Sequence, residues 1–186
     1  MIQSVFAIGK SNKFGEYAFG NKNGLPWGHI RQDMINFKKR TTEGLKEFGN
    51  PAVVMGWNTF KSLPEPLFGR VNVVISNDVN SVPVARNGAS PDSVIAGMTL
   101  KDVCQQLEMK HGVVSVIGGA GLIKESLDFV DRVVLTYIHK DNMEYDVAFP
   151  LEWVIPITQN FINETHTNFD ISKNVSMIET VLVRAK

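Results

Sequence analysis

Val113-Val114-Ser115-Val116-Ile117-Gly118-Gly119-Ala120-Gly121-Leu122 is the stretch on which the fold turns. Its first half is a short, near-continuous β-branched run. That is the habit of a strand buried on both faces, as in a parallel sheet. Its second half is a glycine turn that opens a helical pattern over residues 120–129, with Leu122, Ile123 and Leu127 on one side. A buried strand that runs through glycines into a helix is half of a βαβ unit, and the turn offers N–H groups to phosphate. The same turn also serves as plain strand punctuation. It lacks the G-x-G-x-x-G spacing, so it does not predict a Rossmann dinucleotide site.

Runs of the same kind lie on both sides, at residues 5–8, 52–55, 71–75 and 133–138, with a shorter one at 94–96. Two late segments, near 157–166 and 175–183, flank the polar stretch 167–174 and read as an antiparallel hairpin at one edge. Helical spacing recurs at 30–40 through Ile30, Met34 and Phe37, and at 99–110 through Leu100, Val103, Cys104 and Leu107. Thr99 with Asp102 makes a capping-box-like start to the second of these, and Gly112 a stop. The stretch 41–51 carries no assignable pattern. Strands that alternate with helices predict an α/β fold.

Composition sets the class. With 186 residues the chain fits a single domain, 1–186, able to bury about 70% of its unfolded surface without staples. Nineteen basic and nineteen acidic residues give zero formal net charge, against a nucleic-acid partner. At 44% hydrophobic the chain is also too apolar for a disordered one. One cysteine, Cys104, excludes an internal disulfide and a two-thiolate zinc site. The nearly apolar stretch 113–123 is too short to span a bilayer, and the start MIQSVFAIGK reads as a strand rather than a signal peptide. No membrane partner and a cytoplasmic location are expected.

Asp33 is the most informative position. It lies at the edge of the stripe made by Ile30, Met34 and Phe37, where a carboxylate is expensive unless paired, protonated or facing a cationic ligand. As a first-turn residue it would also simply complement the helix dipole. The preceding turn, Asn23-Gly24-Leu25-Pro26-Trp27-Gly28, places two large apolar side chains in a loop. Leu25 and Trp27 therefore pack on something, either the core or a flat ligand. Trp27 also has an N–H able to order a water near Asp33. Met55-Gly56-Trp57-Asn58-Thr59-Phe60 is a second strand–glycine–helix junction, and Gly69-Arg70 sets a cation at a strand start, ordinarily a surface arginine. The four histidines show no ligand spacing, and neither a nucleophile elbow nor a P-loop is present, so metal, serine-hydrolase and NTPase readings lose support.

Taken in order, these pieces resemble dihydrofolate reductase. They are Gly24-Leu25-Pro26-Trp27, Asp33 with Phe37-Lys38, the run from Pro51 through Met55-Gly56 to Thr59-Phe60, and Pro66-Leu67 with Gly69-Arg70 and Asn72. Val116-Ile117-Gly118-Gly119, Leu135-Thr136-Tyr137-Ile138, and Asp146 with Phe149-Pro150 complete the set. The resemblance covers residues 1 to about 150. It implies a mixed, mostly parallel eight-stranded sheet with about four helices and an antiparallel C-terminal hairpin. It implies hydride transfer from NADPH to C6 of 7,8-dihydrofolate with protonation of N5, binding of antifolate-type small molecules, and a monomer. In that likeness Asp33 serves the pterin 2-amino group, N3 and the proton for N5. Thr136 hydrogen-bonds that neighbourhood and Trp27 holds the water. Val5, Phe6, Met34, Phe37, Leu63 and Leu67 wall the substrate, and Arg70 pairs with its glutamate α-carboxylate. Ala7, Leu25, Gly56, Trp57, Asn58, Thr59, Ser76, Asn77, Ile117, Gly118, Gly119, Ala120, Gly121 and Leu122 line the cofactor, with a cis Gly118-Gly119 bond.

The departures fall on the cofactor's phosphates. Trp57 and Asn58 stand where family members commonly carry basic residues, and Gly121 stands where many carry arginine. Two other readings share these residues: a reductase of a related pterin or pyrimidine, and a folate- or nucleotide-binding module with weakened catalysis. Arg70 favours folate, because it has a task only if the substrate carries a carboxylate tail.

Overall fold

The computed structural model describes residues 1–78 and 80–186. Its elements run β1 (Ile2–Gly9), β2 (Glu16–Gly20), α1 (Arg31–Thr41), α2 (Leu45–Phe48), β3 (Ala52–Gly56), α3 (Trp57–Ser62), β4 (Val71–Ile75) and β5 (Ser93–Ile95). They continue α4 (Leu100–His111), β6 (Val114–Gly118), α5 (Ala120–Ser126), β7 (Arg132–Lys140), β8 (Val147–Pro150), α6 (Leu151–Asn160), β9 (Phe161–Ser172) and β10 (Val175–Arg184).

Eight strands form one path in the order β5-β4-β3-β6-β1-β7-β10-β9. Pairing is parallel from β5 to β7 and antiparallel at β10 and β9. This is the mixed, mostly parallel sheet expected from the sequence. Two short strands are added to it: β2 pairs with β1 and with β8, both antiparallel. The described residues hold six helical segments rather than about four, the extra ones being the four-residue α2 and the ten-residue α6.

Two local readings are corrected. Residues 157–160 belong to α6, not to a strand; the β-branched Val154, Ile155 and Ile157 and the internal Pro156 disguise a helix whose Ile157 is buried. The polar stretch 167–174 is mostly strand, and the hairpin turns only at Lys173-Asn174. Polar residues are tolerated there because β9 is the sheet's edge and faces water along most of its length. Elsewhere the local chemistry matches. The Thr99 hydroxyl accepts from the Asp102 N–H at 3.1 Å, and Gly112 takes φ +71° just past α4.

The sheet separates two apolar layers. One gathers Phe6, Val54, Val116, Ile123 and Phe149, with Cys104, whose thiol burial pushes up to about 12. The other face carries three smaller clusters: Trp27, Ile30, Ile138 and Met177; Val5, Val134 and Val181 with Phe37; and Val53, Met55, Phe60, Val74 and Ala85. β3 and β6 end side by side at Gly56 and Gly118, where α3 and α5 begin. The carboxyl ends of adjacent parallel strands are where open α/β sheets bind ligands.

Candidate active site

Asp33 sits in the first turn of α1 and is 5% exposed, which settles its orientation: it faces the sheet. Trp27, 3% exposed, donates its indole N–H directly to Asp33 Oδ2 at 3.3 Å, a contact the sequence did not foresee when it gave that N–H a water near Asp33. Burial pushes the Asp33 carboxyl up to about 6; the Trp27 hydrogen bond pulls it down, and the negative charge of Glu179 pushes it up again. A carboxyl in this range holds and releases a proton near neutral pH.

Thr136, 5% exposed, lies in mid-β7 opposite Ala7 of β1 and Glu179 of β10. Among the described residues no direct hydrogen bond joins it to Asp33; its place is in the sheet row beneath α1. Val5 and Phe37 share one cluster there, and Leu63, Leu67 and Ile117 pack on Val53, Met55 and Phe60 nearby. Met34 is half-buried on α1. Phe6 is the exception. Successive strand residues point to opposite faces, so Phe6 enters the other layer and stacks on Phe149 at 5.3 Å between ring centroids. It does not wall this site. Leu25, 44% exposed, is not packed on the core, so of the two loop residues only Trp27 is.

Arg70 is no surface arginine: it is 9% exposed. Its Nη1 donates to Thr41 Oγ1 at 2.8 Å and its Nε to the Phe68 carbonyl at 3.1 Å. Among the described residues no carboxylate pairs with it, and burial lowers its pKa below the ordinary arginine value. A buried guanidinium without an acid is costly unless an anion completes it.

The glycine junctions meet on the far side of β6. A Cβ on Gly56 would stand 3.8 Å from the Gly119 nitrogen and 3.7 Å from Leu122 Cδ1. Gly118 has φ +145°, and a Cβ there would reach Thr59 Oγ1 at 3.2 Å. The Gly118-Gly119 peptide is cis, as the resemblance implied. Gly56, Thr59, Gly118, Gly119 and Leu122 are thus brought together, with Ala120 at the start of α5 and Ile117 just below. Trp57 is half-buried and Asn58 exposed at the start of α3, and around Gly121 a Cβ would meet nothing within 4 Å. Ser76 and Asn77 follow β4, where the Ser76 hydroxyl accepts from the Asp78 N–H at 3.0 Å.

Three residues escaped the sequence reading. Glu179, 5% exposed, accepts from Arg40 Nη2 at 2.6 Å. The signal was present: Glu179 stands at strand period between Met177 and Val181, both buried. The third is Arg86. It donates from its backbone to the Leu63 carbonyl and from Nη2 to the Asn23 carbonyl, both at 3.0 Å, tying two loops across 63 residues. No sequence signal marks that contact.

Comparison with known proteins agrees with this fold. A family model described as dihydrofolate reductase matches residues 1–180. The chain is 30% identical over 176 residues to a dihydrofolate reductase type A10 from Escherichia coli, covering 94% of this chain and 81% of that protein. It is 33% identical over 156 residues to the dihydrofolate reductase of Bacillus subtilis, covering 81% and 76%. A solved dihydrofolate reductase from Enterococcus faecalis, complexed with NADP(H) and RAB-propyl, superposes with a TM-score of 0.76 at 19% identity, covering 100% of this chain and 97% of that one. With a family match over residues 1–180 and relatives at 30% identity or more over most of both chains, the chain belongs to the dihydrofolate reductase family of enzymes.

Proposed function

We propose that this protein reduces 7,8-dihydrofolate to 5,6,7,8-tetrahydrofolate with NADPH, feeding one-carbon and thymidylate metabolism. The observation that carries the reading is the spacing along α1. Asp33 marks one end of the helix, and Thr41, which accepts from Arg70, marks the other. Eight residues of helix separate them, a rise of about 12 Å. A buried acid and a buried, acid-free guanidinium at that separation suit a molecule with a hydrogen-bonding flat ring at one end and a carboxylate at the other. Dihydrofolate is such a molecule.

The junction of β3 and β6 suits a dinucleotide. Gly118 and Gly56 leave room that side chains would fill, and Gly121 is open on one side. Gly56, Trp57, Asn58, Thr59 and the 117–122 turn would hold the cofactor's middle, Ser76 and Asn77 its adenosine end, and Ala7 and Leu25 its nicotinamide. Bound there, the cofactor supplies a hydride to C6 of the substrate.

The chain's own residues do the rest. Asp33, poised near pH 6, receives the pterin's 2-amino and N3 donors and supports delivery of a proton to N5. Trp27 fixes the carboxyl's orientation through Oδ2. Val5, Met34, Phe37, Leu63 and Leu67 exclude water from the rings, and Arg70 clamps the tail. The test is Arg70→Ala. Dihydrofolate binding should weaken by about 2–5 kcal/mol, the range for breaking a desolvated charge pair. A pterin without the glutamate tail should bind unchanged. Equal losses for both would remove the carboxylate role and, with it, folate as the substrate class.

A further inference from the structure

The sheet face under α1 is apolar at both ends and polar in the middle. On β7 the inward residues are Val134, Thr136 and Ile138; on β10 they are Val181, Glu179 and Met177, paired with them in register. Glu179 therefore stands beside Thr136 on the face that Asp33 covers, since opposite side chains of an antiparallel pair lie about 4.5–5.5 Å apart at Cβ. A carboxylate at 5% exposure between two apolar clusters survives only with a partner. That partner comes from α1: Arg40, seven residues after Asp33 on the same helix face, donates Nη2 and Nε to Glu179 Oε1 at 2.6 and 3.2 Å. Arg40 is held in turn by Glu43, which also accepts from Arg132, while Arg132 is fixed on Gln3. The Glu179 carboxylate is thus locked against the middle of the site.

Around Asp33 the charged groups are few. From β10 there is Glu179; from α1, Arg40, spent on Glu179; from β7, Lys140, whose Nζ lies 3.5 Å from the Trp27 carbonyl. β1 presents Val5 and Ala7. The single side-chain donor to the Asp33 carboxyl among the described residues is the Trp27 indole, while Asn36, buried one turn along, leaves its Nδ2 unpartnered.

We propose that Glu179 is a positioning residue for catalysis: locked by Arg40, it keeps a negative charge beside Asp33 and favours the protonated form of that carboxyl. The effect runs the same way as burial, and Glu179 raises the Asp33 pKa while Arg40 is itself raised chiefly by its hydrogen bond to Glu179. The ion pair is more than a structural tie between α1 and β10. Its acidic half helps to set the pH at which the site holds a proton. This inference rests on the reading of Asp33 as the proton-handling group.

The experiment follows the Asp33 carboxyl directly, by carbon-13 titration of the folded protein, and follows hydride transfer against pH from NADPH absorbance. Glu179→Gln should move the Asp33 titration to lower pH by about half a pH unit or more, and so slow hydride transfer about threefold above the inflection. Glu179→Asp should restore part of the shift. Arg40→Gln with Glu179→Gln, which leaves two amides in place of the ion pair, guards against misfolding and should also shift the titration downward. An Asp33 titration unmoved, or moved upward, in whichever of these variants gives a native thermal melt would overturn the proposal. Asp33→Asn separates the two levels. If the kinetic inflection survives that change, the reading of Asp33 fails, while the direct titration still decides whether Glu179 acts on it.

Discussion

Replacing Asp33 by asparagine should make the protein more stable and less active at once. In the unfolded chain the carboxyl titrates near its ordinary value of 3.8; in the fold it titrates near 6, chiefly because it is buried. Below pH 3.8 both states hold the proton and no stability is lost. As pH rises toward 6 the unfolded state releases its proton first, so stability falls and the loss is complete above the folded value. At 1.36 kcal/mol per pKa unit the loss amounts to about 3 kcal/mol. Asparagine fills the same space, can still accept from the Trp27 indole, and never ionises. Denaturant unfolding of both proteins from pH 3.5 to 7.5 should therefore show a gap that is small at the acid end and grows to about 3 kcal/mol in favour of the variant. Hydride transfer at pH 7 should meanwhile fall by roughly 10²–10⁴. A gap that does not change with pH, or a variant less stable at pH 7.5, would refute the claim that Asp33 is strained by burial.

Cofactor preference should be modest. Trp57, Asn58 and Gly121 bring no cation to the phosphates, and Ser76 and Asn77 are neutral donors worth about 0.5–1.5 kcal/mol each. NADPH should be preferred over NADH by about 5- to 150-fold in kcat/KM, with little dependence on salt; a preference above about 10³-fold that collapses with salt would contradict this. Gly118→Ala should destabilise by about 1–3 kcal/mol, because a φ of +145° strains any side chain and its Cβ would meet Thr59 at 3.2 Å. Gly119→Ala, whose Cβ would stand 3.6 Å from the same hydroxyl, should be milder, and thermal melts of the two would show the reverse order if this packing were wrong.

Much of the parallel half was legible because buried strands read as β-branched runs whatever their partners. α1 and α4 were legible through apolar spacing, and α4 also through the Thr99–Asp102 cap. β2 and β8 were not, since each is short and takes its order from pairing with the other and with β1. α6 was misread because its local propensities favour a strand, and tertiary packing of Ile157 and Trp153 overrides them. In the site, Asp33 showed as a carboxylate on an apolar stripe. Arg70 showed only as a cation at a strand start; its burial comes from the Thr41 contact, which no local pattern records. Phe6 was misplaced through the resemblance, although strand alternation already sets it opposite Val5. Glu179 was legible from its inward period, but its meaning depends on α1 lying across β7 and β10.

The central claim is that this site passes a hydride to C6 of dihydrofolate while Asp33 manages the proton. Single turnover with NADPH deuterated at the transferred C4 position measures it most directly. The label should appear at C6 of tetrahydrofolate, one per NADPH consumed, at a rate that falls as rising pH strips the proton from Asp33 and that drops at least 100-fold in Asp33→Asn. Oxidation of NADPH that does not depend on dihydrofolate, or label absent from C6, would contradict it.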